Sequence, residues 1–323
     1  MQFFSDKKIY DFMKIKFAAI SLSAILFFGS IYLLFSKGLQ FGIDFNGGTL
    51  IQLKYEEKAP ISKIRQILEN TRKFQNLSVN EFGSDKEITI KFLGNNDNLN
   101  YNLSEYINDV LKESGKFEIR KIDFVGPKVG DELKNKGLMA IIVSIMAILI
   151  YITLRFEWRF AIASIIAEIH DIVITLGAIS LFNIDVNLDI LAAVLTVLGY
   201  SLNDTIIIFD RIRDGIKNSK ENTLSPIINE SVSATLSRTV LTSGLTLVSV
   251  VILYFFGGSI IEGFSLTLMV GIIIGTFSSI FVASPILLWF KFNIVDYKNK
   301  ELEKQKRKQE KQKHRAMYEK GIV

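Results

Sequence analysis

The chain has no cysteine and only two histidines in 323 residues. The first absence removes disulfide frameworks, zinc–thiolate sites and thiol nucleophiles together, while an oxidising compartment stays permitted. The second leaves little from which to build a histidine-rich metal site. No G-x-x-x-x-G-K-[ST] phosphate loop occurs, so ATP hydrolysis by that route is excluded, and neither H-E-x-x-H nor G-x-S-x-G is found. Any energy source must come from outside the chain. What is abundant is apolar: 49% of residues are hydrophobic and 25 are Phe, yet 22% are charged. With a mean hydropathy of +0.30 in 36.6 kDa, charge and grease must be segregated along the sequence. Disorder is excluded by this balance, and a membrane protein fits it better than a soluble enzyme.

A spanning helix needs about 20 mostly apolar residues, and six stretches qualify: 17–35, 137–154, 160–181, 190–209, 239–256 and 264–290. The first follows Lys7, Lys8, Lys14 and Lys16 and has no small-residue cleavage pattern after it, so it is expected to be an uncleaved anchor. Arg155 and Arg159, then Arg211, Arg213, Lys217 and Lys220, then a dense basic tail all fall on one side of such a topology, whereas 183–189 and 257–263 carry no Lys or Arg. The positive-inside rule therefore puts both chain ends in the cytoplasm. Four segments follow: a cytoplasmic N-terminus with the first span (1–35), an extracytoplasmic domain (36–136), a bundle of five spans (137–290) and a basic cytoplasmic tail (291–323). The tail is expected to meet anionic lipid; an RNA-binding arm is the weaker alternative, since no aromatics are interleaved.

Within 36–136, an alternating run from Thr49 to Tyr55 follows Gly47-Gly48, and Pro60 and Ile61 open a helical pattern through Ile64, Ile67 and Leu68. Strand patterns recur at Leu77–Phe82 and Glu87–Phe92, an amphipathic helix at Leu99–Glu113 presents Tyr106, Ile107, Val110 and Leu111, and a last strand covers Phe117–Val125. The order βαββαβ predicts a ferredoxin-like α+β domain, a fold that says little about function.

Ionisable groups inside a span cost roughly 2.5 to 3.5 kcal/mol on insertion scales, so each asks for a reason. The fourth span carries Asn203 and Asp204 well short of Arg211; the third carries Glu168, His170 and Asp171 near its middle. The fifth begins at Arg238, expected at or just inside the cytoplasmic boundary, with Thr239, Thr242, Ser243 and Thr246 forming a hydroxylated stripe. One reading is a proton relay: desolvation favours the neutral carboxyl and a neighbouring guanidinium the ionised one, so a shift in packing between Asp204 and Arg238 loads or releases a proton. The other is a static buried ion pair or polar glue between helices, with Arg238 a plain interfacial charge. Adjacent helical residues diverge by about 100°, so His170 and Asp171 are a weak metal signal and read better as a polar interface or a second relay shell, with Thr242. Gly271 and Gly275, beside Ser278 and Ser279, allow close helix approach.

The motifs GLQFGIDFNGG (Gly38–Gly48), GPKVGDEL (Gly126–Leu133), FEWRFA (Phe156–Ala161), HDIVITLG (His170–Gly177), VLGYSLNDTIIIFDRIR (Val197–Arg213), LSRTVLTSG from Leu236 and the glycine-rich run from Phe256 to Pro285 occur in this order. The series resembles the SecF family of bacterial protein export. That resemblance implies an α-helical polytopic membrane protein, the six-helix half of an RND-type transporter, with SecD as the other half and no cofactor. It implies location in the bacterial inner membrane, SecYEG and YajC as further partners, unfolded preproteins as clients and protons as the driving species. The family's proton-pathway carboxylate falls on Asp204, beside Asn203, and its partnering arginine on Arg238. Departures are Asn46 for the usual Thr, Pro285 in the last motif and the length of the basic tail. A self-contained RND-like exporter of small molecules or lipids, and a purely structural subunit, are the rival classes.

Overall fold

The computed structural model describes residues 9–71, 74–93, 103–219, 221, 223–258, 260–290 and 294–319. Six helical stretches are long and apolar enough to cross a membrane. They are α1 (Lys16–Ser36, entered through a 3-10 turn at Phe12–Ile15), α5 (Pro127–Arg155), α6 (Trp158–Leu181), α7 (Leu188–Asn218), α8 (Leu224–Phe256) and the pair α9 (Glu262–Ser278) and α10 (Ser284–Trp289). A last helix, α11, runs from Ile294 to Glu319. The chain is a multi-pass membrane protein.

Between α1 and α5 lie a short helix α2 (Ile43–Asn46), β1 (Gly48–Tyr55), α3 (Ile61–Asn70), β2 (Gln75–Phe82), β3 (Ser84–Leu93), α4 (Leu103–Val110) and β4 (Phe117–Val125). The sheet order is β2-β3-β1-β4 and every adjacent pair is antiparallel. Each βαβ unit is thus split by one strand of the other, the ferredoxin-like arrangement expected from the element order. Alternation explains the core: Ile51, Leu53 and Tyr55 of β1 turn one face to Ile64 and Leu68 of α3 and to Ile107 and Leu111. Tyr55 is buried and bonds Ser114 Oγ at 2.7 Å, while Ser114 donates to Leu111 O at 2.6 Å, so the phenol is the donor of the first bond. Burial pushes the Tyr55 hydroxyl above its ordinary value of 10.0, against the opposing pull of Ser114. The amphipathic helix expected over 99–113 is helical from Leu103 to Val110, with a 3-10 turn at Lys112–Ser114; residues 99–102 lie outside the described residues.

Gly47 and Gly48 have φ of +71° and +125°, and a Cβ on either would stand 2.8 Å from the Cα of Pro127 or the carbonyl oxygen of Phe92. The chain therefore enters the sheet through a point where the start of α5 and the end of β3 leave no room for a side chain. The preceding linker is tied to the loop between α6 and α7. Gly42 N donates to Val186 O at 2.8 Å, Val186 N to Gln40 O at 2.7 Å and Leu188 N to Asp44 Oδ2 at 3.0 Å. Lys91 of β3 forms an ion pair with Asp185 of the same loop. Burial holds its ammonium below the ordinary 10.5, so Asp185 is its compensating charge.

The helices run past the hydropathy reading at the start of α5, which begins at Pro127, and at the end of α7, which reaches Asn218, and two further spans differ in ways that bear on the site. Expected from 239, α8 begins at Leu224, because nothing between Leu224 and Thr239 breaks a helix once Pro226 is accommodated in the first turn. The polar lead-in is held by Asn229, whose amide oxygen accepts from Met13 N at 3.0 Å and whose nitrogen donates to Asp11 at 2.8 Å. Arg238 consequently stands well inside a continuous helix, about 21 Å along it from Leu224 at 1.5 Å per residue, and not at its start. The last span is not one helix: Ser279–Ala283 form a π turn. Pro285 has no N–H to give and its ring would meet the carbonyl of Phe281, so the helix widens ahead of it, and Ser284 Oγ donates to the Ser279 carbonyl across that turn at 3.0 Å.

Candidate functional site

Packing within the bundle is uneven. Half or more of the most apolar stretch of α6, α7 and α9 is enclosed, against 11% for α1, α5 and α8. Small residues make the tight contact: a Cβ on Gly275 of α9 would stand 2.8 Å from Ser201 Cβ of α7, and Gly271 is seated in the same way on Val197. The expected G-x-x-x-G approach is therefore made between α9 and α7.

That contact places the buried acids. Asp171 is 0% exposed and takes hydrogen bonds from three helices. Ser201 of α7 donates to its Oδ2 at 2.5 Å, Ser278 of α9 donates to the same oxygen at 2.7 Å, and His170 Nδ1 lies 2.8 Å from Oδ1. His170 Nε2 lies 2.5 Å from Ser23 Oγ of α1, and its ring stacks on Phe27 at 6.0 Å. Carrying its proton on Nδ1, the imidazole donates to Asp171 and accepts from Ser23, which closes the network. His170 and Asp171, adjacent in sequence, are thus joined to each other and to α1, α7 and α9.

Asp204 is 3% exposed and lies one turn from Ser201 on α7. Ser243 of α8 donates to its Oδ2 at 2.9 Å. Thr276 of α9 presents its hydroxyl to the same carboxyl and Arg238 acts on it electrostatically, but among the described residues Arg238 forms no ion pair within 4.0 Å. The expected Asp204–Arg238 pair is apart in this conformation. Arg238 and Thr242 are exposed on α8, as Asn203 is on α7. The Thr242 hydroxyl turns back to Arg238 O at 3.0 Å and Thr246 to Thr242 O at 2.9 Å, so of the expected stripe only Ser243 reaches the acid. Asp210, in the same motif as Asp204, belongs elsewhere: it pairs with Arg155 at 2.8 Å and Arg213 at 2.9 Å and clamps the end of α5 to α7.

Ser201, Ser278 and Ser23 were not expected as site residues, and Ser243 only as one hydroxyl of four. Their signal was faint, because a serine beside glycines in a span reads as packing. The periodicity that would have raised it is the placement of Ser201 three residues before Asp204, on one face of one helix.

Residues 106–293 match the family described as protein export membrane protein SecD/SecF, C-terminal, and residues 32–59 match the SecD/SecF GG motif. The chain belongs to the SecD/SecF protein-export family. Within that family it is similar to protein translocase subunit SecF of Helicobacter pylori, 45% identical over 323 residues and 100% of each chain. It is also similar to the SecF subunit of Escherichia coli O157:H7, 40% identical over 285 residues, 87% of this chain and 88% of that one. Among solved structures it is similar to SecDF of Thermus thermophilus, a translocon-associated membrane protein, with a TM-score of 0.81 and 32% identity. The match covers 88% of this chain and 39% of that one, so the chain spans well under half of the SecDF length. SecDF in a super-membrane-facing form matches with a TM-score of 0.63 and 31% identity, over 92% of this chain and 40% of that one. The chain is a component of the Sec translocase with an RND-like membrane bundle.

Proposed function

We propose that the chain couples proton entry across the bacterial inner membrane to the movement of preproteins on the far side, acting with SecD as its other half. In this reading Asp204 is the group that binds and releases the proton, Arg238 is the charge that meets it in the alternate state, and Asn203 lines the path beside them. His170 and Asp171 stand behind as a fixed polar relay. Both chain ends face the cytoplasm, 36–136 works outside as the moving domain, and 291–323 is the cytoplasmic tail. That tail rests against the bundle through buried Ile294 and Tyr297 and a Lys298 Nζ bond to Ser219 O at 2.7 Å, with its exposed lysines free to meet anionic lipid. SecYEG, with YajC, is the proposed translocon neighbour.

One observation carries the reading. On α7, Thr196, Gly199, Tyr200 and Asn203 are exposed at helical spacing, and on α8 so are Arg238, Thr242, Leu245 and Ser249. A guanidinium, an amide and several hydroxyls turned to hydrocarbon at these depths are unfavourable. Gly199, in the exposed stripe, has nothing within 4 Å of where a Cβ would stand. A helix-interior glycine is about 1 kcal/mol worse than alanine, and no contact within this chain compensates. The face therefore suits a second helical bundle seated closely on it, which supports SecD over a self-contained exporter. Asp204 lies directly behind that face. The difference in TM-score between two SecDF forms, 0.81 against 0.63, supports a motor that changes shape.

The test is preprotein export in cells and in membrane vesicles. Asp204→Asn and Arg238→Ala are expected to abolish the gradient-dependent part of export while both variants still co-purify with SecD. Unimpaired export with either would leave only the structural role.

A further inference from the structure

Besides Asp204 and the Asp171 network, α6 carries a third buried acid. Glu168 is 6% exposed, and neither of its carboxyl oxygens has a hydrogen-bond partner among the described residues. It interacts electrostatically with Asp171, one turn away. The Ser201 hydroxyl acts on Glu168 as well, but its single hydrogen is given to Asp171, so none is left for Glu168. An ionised carboxylate without donors, next to another that receives three hydrogen bonds, has no stabilisation to offset its desolvation.

Glu168 is not alone in lacking partners. Ser164, Glu168, Asp171 and Thr175 are spaced 4, 3 and 4 residues apart, one face of one helix. Ser164 Oγ and Thr175 Oγ1 are buried without a hydrogen-bond acceptor or donor, and so is Thr205 Oγ1 on α7. Thr205 follows Ser201 by one turn on an antiparallel helix, so a rise of about 6 Å brings it level with Glu168. Four residues with unsatisfied polar atoms, enclosed and in file from Ser164 to Thr175, form a seam on both sides of Asp171. Buried polar groups in such numbers are ordinarily served by internal water. The seam is separate from the Asp204 face: Asp204 is reached from α8 through Ser243, whereas Glu168 sits on α6. The titratable groups facing it are Asp171 and, through it, His170; α1, α7 and α9 contribute hydroxyls at Ser23, Ser201 and Ser278.

We propose that Glu168 is a second proton-binding residue, neutral in this conformation, in a water-served seam that runs between α6, α7 and α9 within this half alone. A proton that arrives through water from the Thr175 end, past the Asp171–His170 pair, is taken up by the Glu168 carboxylate and then released by way of water toward the Ser164 end, which leaves the carboxylate ready for the next proton. The inference rests on the reading that the complex conducts protons, and the experiment separates the two.

The complex purified from its native membrane is placed in liposomes and proton uptake is followed after a pH jump. Glu168→Gln is expected to lower uptake about tenfold or more, and Glu168→Asp to retain part of it. Ser164→Val, whose larger apolar side chain closes the cytoplasmic end of the seam, is expected to lower it as well. In infrared spectra of the wild-type complex, the carbonyl stretch of a protonated carboxyl is expected to shift promptly in D2O, to vanish in Glu168→Gln and to persist in Asp204→Asn. Wild-type uptake in Glu168→Gln or in Ser164→Val overturns the proposal while leaving that for Asp204 standing. A band that resists D2O exchange, or one that Glu168→Gln does not remove, overturns it too. Loss of uptake in Glu168→Gln together with normal uptake in Asp204→Asn supports the seam and contradicts the Asp204 relay.

Discussion

At Asp204 the buried carboxyl is met by hydroxyls alone, Ser243 of α8 with Thr276 of α9 beside it, and that sparseness is what allows the group to change state. Asp204→Asn keeps an oxygen for Ser243, so it removes the titration and leaves the α7–α8 contact in place; thermal unfolding of the complex should barely move. Ser243→Ala has the opposite profile, leaving a buried oxygen without its donor and destabilising by about 1–3 kcal/mol. Tyr55 offers a test outside the membrane. Its hydroxyl is held above 10.0 by burial, so as pH rises past that value the unfolded chain loses the proton first. The folded chain then binds more protons than the unfolded one, and stability falls with rising pH. Protection of the amides of β1 and β4, taken relative to their intrinsic exchange rates, should fall above about pH 10, and Tyr55→Phe should remove that fall and cost about 1 kcal/mol at neutral pH. These residue-scale assignments divide by legibility. Asp204 was visible in the sequence because an acid in a span is costly and asks for a reason, whether relay or polar glue, whereas Ser201, Ser243 and Ser278 were not, because a serine in a span costs little and has several explanations.

Among the elements, α9 is the wedge on which the buried acids depend. Its glycines let it approach α7 closely enough for Ser278 to reach Asp171. Gly275→Ala would put a methyl group 2.8 Å from Ser201 Cβ. Overpacking of this kind costs about 1–3 kcal/mol, and it would part Ser278 from Asp171. The expected result is a lower unfolding temperature together with slower gradient-driven export, whereas Gly199→Ala, with open space on this chain, should lower only the association with SecD. The βαββαβ unit was legible almost strand by strand, since alternation fixes which side of a strand is buried. The ends of α8 and α9 were not. Hydropathy marks where a helix is greasy and not where it is helical, so the polar first half of α8 escaped notice, and a run of apolar residues hides a π turn until Pro285 is asked where its missing hydrogen bond goes.

For the whole molecule, the geometry connects two places that the sequence keeps far apart. The loop that starts α7 is paired through its backbone with the linker leading to the sheet, and Lys91 of the sheet meets Asp185 of that loop. A displacement of α7 at Asp204 therefore has a direct route to the sheet. If this strap transmits motion, Lys91→Glu and Asp185→Lys should each impair export several-fold and the double exchange should restore it, a coupling on the order of 1 kcal/mol in a double-mutant cycle. None of this was legible beforehand, because pairing between a linker and a loop about 140 residues apart leaves no periodicity to read. All of it serves one claim, that Asp204 takes up and releases a proton as the molecule works. The direct measurement is proton uptake into liposomes holding the intact complex, wild type against Asp204→Asn, after acidification of the side that bears the sheet domain. Uptake that disappears with the substitution, in a complex of unchanged stability, is the predicted result; uptake at the wild-type rate would contradict the account.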